Sequence, residues 1–95
     1  MPTARWNGIV IAEADSCPVV EGNVYFPPDA LVAEHFESSA TTSFCPWKGT
    51  AHYYSVVVDG RRNDDAAWVY RDPKPEAASI AGHVAFWKGV EVERG

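Results

Sequence analysis

Cysteine is scarce in this chain, with Cys17 and Cys45 the only two among 95 residues. That is too few for a disulfide scaffold or a four-thiolate zinc site, and neither belongs to a C-x-x-C pair. Basic residues are also in deficit: eight Lys and Arg face thirteen Asp and Glu, for a net charge of -5. Counterion release from phosphates has little to draw on, so no nucleic-acid partner is expected. Long apolar runs are missing: none reaches the roughly 20 residues needed to cross a bilayer. The opening "MPTARWNG" has no apolar signal core. The expectation is a cytoplasmic protein without membrane contact, in which both cysteines remain thiols. The three histidines, His35, His52 and His83, form no local ligand pair with each other or with the cysteines, and "CPWKGTA" lacks the G-x-x-x-x-G-K phosphate frame. No metal and no cofactor are expected.

What is abundant is aromatic and apolar material. Aromatics make up 13% of the chain and hydrophobic residues 46%, a composition that folds rather than one that stays disordered. At this length residues 1–95 make one domain, because a core of ordinary density cannot be divided further. "ARW" and "IVIAEA" flank Asn7-Gly8, and "PVVEG" and "NVYF" flank Gly22-Asn23, so two hairpins are predicted. "PPDALVAEHFESS" changes period, and Asp29 is placed to cap a short helix burying Leu31, Val32 and Phe36. "TAHYYSVVV" reads as a central strand ending at Asp59-Gly60, with "AAWVYRD" as its antiparallel partner and "RRNDD" as a charged loop tip between them. Pro75 opens a helical turn, and "HVAFWKGVEVE" is read as a closing hairpin around Lys88-Gly89. Seven or eight short strands with one or two helical turns predict a mostly β fold with a minor α part. The expected form is a small antiparallel two-sheet sandwich or open barrel.

Side chains alternate across a strand, so Tyr53 shares a face with Ala51, Ser55 and Val57, and Trp68 shares one with Tyr70. If the two strands pair, Tyr53, Trp68 and Tyr70 converge, with Trp47 entering from the preceding turn. Such a cluster reads either as plain core or as the wall of a ligand pocket. Cys45 stands beside Lys48, which can lower a thiol pKa, so it is a candidate nucleophile or redox centre. His52 and Asp64 are available as partners, although no spacing identifies a triad.

Four segments carry a family likeness: "VYFPPDAL", "TSFCPWKGTAHYYSV", "AAWVYRDPKPEAASI" and "HVAFWKGVEVE". Together they resemble the bacterial domain of unknown function 427 family over nearly the whole chain. The resemblance implies a β-tent architecture akin to the thalidomide-binding domain of cereblon and the Yippee proteins, which commonly hold a zinc through paired C-x-x-C motifs that this chain lacks. It also implies an aromatic cage at the mouth of a sheet, formed here by Trp47, Tyr53, Trp68 and Tyr70, with Phe26, Phe86 and Trp87 as further candidates. A nucleotidyltransferase-like label has been attached to the family. Such enzymes hold magnesium through a G-S turn and spaced aspartates, whereas this chain offers only the adjacent Asp64-Asp65. The leading expectation is a small-molecule-binding module, monomeric or weakly dimeric, with Lys48 and His52 at the pocket rim. An enzyme using Cys45 as nucleophile or redox centre, a nucleotidyltransferase-like activity and a protein-interaction module are the alternatives.

Overall fold

The computed structural model describes residues 1–95. Four two-residue turns organise it, each with both residues at positive φ: Asn7-Gly8, Glu21-Gly22, Asp59-Gly60 and Lys88-Gly89. This pairing has the handedness that matches twisted antiparallel strands, and glycine at the second position carries it without a Cβ penalty. The strands are β1 (Thr3–Trp6), β2 (Ile9–Glu13), β3 (Val19–Val20), β4 (Asn23–Val24), β5 (Phe36–Cys45), β6 (Gly49–Val58), β7 (Arg61–Val69), β8 (Val84–Phe86) and β9 (Glu91–Glu93). The mostly β expectation is met, and the only helical pieces are short 3-10 turns. The strands divide among three antiparallel sheets, ordered β2-β1-β9, β3-β4 and β5-β6-β7-β8.

Several boundaries differ from those the sequence predicts. The second hairpin turns at Glu21-Gly22, one residue early, and Asn23 already pairs with Val20. The helix expected after Asp29 is replaced by two 3-10 turns, Pro28–Ala30 and Ala33–His35, separated where Leu31 bridges to Ala12. Pro27 rather than Asp29 occupies the cap position, without a side-chain bond. Phe36 then opens a ten-residue strand instead of closing a helix. "RRNDD" is no loop tip: the tight Asp59-Gly60 turn lets β7 resume at once, with Arg62 paired to Val57. Finally, Lys88-Gly89 joins arms that go to different sheets, since β8 pairs with β7 and β9 pairs with β1. The turn is a handover rather than a hairpin.

Alternation gives the four-stranded sheet two apolar faces. On one, Phe26, Val56, Val58, Val69, Val84 and Phe86 join Ile11 of β2. Each fully buried branched or aromatic side chain there stabilises the fold by roughly 1.5–3 kcal/mol. On the other, Tyr25, Ala51, Tyr70, Ala77, Ile80 and Ala85 form a smaller cluster with Tyr53 and Trp68 packed against it. The neighbours Tyr25 and Phe26 therefore serve opposite faces.

Candidate functional site

The second face opens into a cavity of about 200 Å³ lined by Lys48, Tyr53, Trp68, Tyr70 and Trp87. Its walls follow from strand register. Tyr53 lies directly opposite Trp68, and Trp68 opposite Ala85, so a small residue on β8 leaves space beside the indole. Tyr70 follows two residues after Trp68 on the same side. The Trp68 indole N–H donates to the Tyr25 hydroxyl at 3.2 Å, and the two rings meet edge to face. The Tyr53 hydroxyl bonds Ser43 of β5 at 2.8 Å. Both polar tips are thereby held, which fixes the rings as rigid walls.

Trp87 closes the cavity from beyond β8, and a distortion of β7 positions it. Between Tyr54 and Val56 of β6 the pairing with β7 shifts, and Asp65 takes a left-handed conformation at φ 54. Its N–H is bonded to the buried Ser55 hydroxyl, and its carboxylate accepts from Thr41 Oγ1 at 2.8 Å. Hydrogen bonds from Ser39 and then Thr41 hold that carboxylate below its ordinary pKa. The bulge turns the Asp65 carbonyl outward, where it accepts the Trp87 indole N–H at 2.6 Å. Trp87 consequently stands at 86° to Trp68, with centroids 6.0 Å apart. This is the re-aiming role bulges commonly play next to sites.

Lys48 supplies the only charge among the lining residues. It ends the turn Pro46-Trp47-Lys48 between β5 and β6, where Cys45 pairs with Gly49. Gly49 takes φ 109, a conformation that suits glycine. The Lys48 carbonyl accepts the Lys74 N–H at 2.9 Å, tying the turn to the following loop. The Lys48 side chain is only 9% exposed, and its ammonium donates to the Glu21 carboxylate from the β3-β4 turn. It also lies 5.5 Å from the Tyr70 ring centroid and 5.2 Å from that of Trp47. Burial is the largest influence on its pKa and acts downward, but the Glu21 bond and the nearby Tyr25 and Tyr70 phenols together carry it upward. Lys48 is a cation. Glu21 is correspondingly held below the ordinary carboxylate range, chiefly by the Lys48 bond. Burial pushes the Tyr70 phenol up, so it stays protonated.

The structure thus brings together Lys48, Tyr53, Trp68, Tyr70 and Trp87. Trp47 packs on the Lys48 ammonium from outside and is 37% exposed. His52 alternates to the opposite face, between Thr42 and Val69, and does not line the cavity. Phe26 and Phe86 belong to the core of that opposite face, with centroids 5.6 Å apart. Asp64 is engaged by Arg62 at 2.6 Å. Cys45 is a half-buried free thiol packed against the cluster of Tyr25 and Tyr70, while Cys17 packs against the other face. Glu21 and Tyr25 are site residues that the sequence does not announce, because nothing local ties either to Lys48 or Trp68.

A second, larger depression of about 380 Å³ is lined by Met1, Pro27, three carboxylates and small residues. It presents no aromatic wall, and none of its lining side chains is cationic. No group of three or more His, Cys, Asp and Glu side chains is arranged to hold a metal ion, and no helix is long and apolar enough to cross a membrane. No curated protein matches the chain in sequence. Residues 3–94 match the family described as Domain of unknown function (DUF427). The chain belongs to the DUF427 family.

Proposed function

We propose that the chain is a small-molecule-binding module whose ligand occupies the cavity between Tyr53, Trp68, Tyr70 and Trp87, above the Lys48 ammonium. The observation that carries this reading is the convergence of four aromatic side chains on one buried cation. A fully collapsed core would have buried these rings, yet Trp87 remains 47% exposed and the space beside Trp68 is open. Binding sites characteristically combine apolar walls with a few placed polar groups. The module acts as a monomer or weak dimer, without nucleic acid.

A nucleophilic role for Cys45 has less behind it. The Lys48 ammonium that would support a thiolate is engaged by Glu21, and His52 stands on the other face of the sheet.

A thermal-shift screen against metabolites tests the proposal. A ligand at a hundredfold its Kd should add about 2.7 kcal/mol to stability. The same ligand should quench tryptophan fluorescence in the wild type and fail to do so in Trp68→Ala. Quenching that persists unchanged in the variant places the ligand elsewhere.

A further inference from the structure

The lining of the cavity carries charge of one sign. Its one ionic side chain is a lysine, and no carboxylate is among the lining residues. An ammonium carries three N–H donors, and Glu21 engages this one from the side of the β3-β4 turn. A positively charged ligand would find the Tyr70 face already occupied by the Lys48 cation and would be repelled at short range. A ligand anion finds a desolvated cation and aromatic walls.

We propose that the site takes a planar aromatic carboxylate and that Glu21 is an internal stand-in for the ligand's carboxylate, giving up Lys48 when the ligand enters. This rests on the pocket reading above and adds the ligand's charge and the displaced group. The two partners are unequal in a way that suits exchange. The Glu21 side chain is 53% exposed while that of Lys48 is 9% exposed. Glu21 also sits on a two-residue turn of the smallest sheet, joining strands of only two residues each. A released Glu21 carboxylate returns to water at little cost, whereas Lys48 cannot leave and requires an anion beside it. The ring of the ligand would lie against Trp68 and Trp87, and its carboxylate would meet the Lys48 ammonium by charge-assisted hydrogen bonding.

The test uses three probes of similar shape, benzoate, benzamide and benzylammonium, titrated into the full chain at neutral pH and low salt with indole fluorescence as readout. Benzoate is expected to bind about tenfold more tightly than benzamide, corresponding to one well-placed ionic contact, and benzylammonium more weakly than either. In Glu21→Gln, benzoate should tighten severalfold with benzamide unchanged, because the competing carboxylate is gone. In Lys48→Met, which keeps the buried stem, the benzoate preference should vanish while benzamide binding persists. Equal or weaker binding of benzoate relative to benzamide in the wild type, or weaker benzoate binding in Glu21→Gln, overturns the inference and leaves the pocket standing. Absence of binding by all three probes overturns both. Thermal melts of each variant establish that it is folded.

Discussion

The indole N–H of Trp87 donates to the backbone carbonyl of Asp65, 22 residues earlier, at 2.6 Å. A single left-handed residue inside a β-strand thereby sets the outer wall of the cavity.

That relationship makes Asp65 a positioning residue with a conformational rather than an ionic requirement. At φ 54, glycine fits freely, whereas alanine meets the Cβ penalty of the left-handed region. Asp65→Gly is expected to preserve the cavity, and Asp65→Ala to loosen Trp87. The check is the Trp87 indole N–H signal in a nitrogen-proton correlation spectrum, which should keep its hydrogen-bonded shift in the glycine variant and lose it in the alanine variant. Loss of the signal in both would show that the carboxylate, and not the backbone, holds the bulge, and its retention in both would show that neither does.

Core and cavity rings should differ sharply in their contribution to stability. Phe26 is fully buried and packs edge to face on Phe86, so Phe26→Ala should cost about 3–5 kcal/mol. Trp87 is half exposed, and Trp87→Ala should cost much less while altering ligand binding. Denaturant melts of the two variants give the comparison. A severe loss in Trp87→Ala would make that residue core after all.

The bond between Lys48 and Glu21 should appear in the pH dependence of stability. Glu21 is lowered in the folded chain, so its contribution is complete above its ordinary pKa of about 4.3 and is lost as pH falls through the lower folded value. Lys48 is raised, so its contribution is complete below about pH 10.4 and is lost as pH rises through the higher folded value. Lys48→Met should remove the alkaline change and most of the acid one, and Glu21→Gln should remove the acid change and alter the alkaline one, where burial and the Tyr25 and Tyr70 phenols still act on Lys48. Thermal melts from acid to alkaline pH test this, and an unaltered profile in either variant would contradict the pairing.

The two thiols should separate in reactivity. Burial pushes the Cys17 pKa up, so iodoacetamide should label Cys17 slowly at neutral pH and faster only in alkali. Because the Lys48 ammonium is held by Glu21, Lys48→Met should leave the Cys45 labelling rate unchanged. A clear slowing of Cys45 would revive the nucleophile reading.

Much of this site is legible in the sequence, and the parts that are not share a cause. Tyr53, Trp68 and Tyr70 follow from period-2 alternation on two adjacent strands, and the turns at Asn7-Gly8, Asp59-Gly60 and Lys88-Gly89 announce themselves by glycine in the second position, whereas the turn at Glu21-Gly22 reads one residue late as Gly22-Asn23. The β5 segment "FESSATTSFC" gives no strand signal because its middle residues are exposed, leaving no apolar alternation to read. The charged "RRNDD" resembles a loop because its side chains face solvent, although its backbone continues the ladder. Phe26 reads as a pocket residue when its neighbour Tyr25 belongs there, because successive residues of the extended segment after β4 point to opposite faces. Glu21 reaches Lys48 across 27 residues, and only tertiary structure joins them.

The four tryptophans provide the most direct test. Each gives one indole N–H signal; those of Trp68 and Trp87 belong to the cavity, while Trp6 packs against the opposite core. On titration with benzoate, the signals of Trp68 and Trp87 should move together and saturate while that of Trp6 stays fixed. Movement confined to Trp6, or no movement at all up to millimolar probe, would contradict the claim that this cavity binds a small molecule.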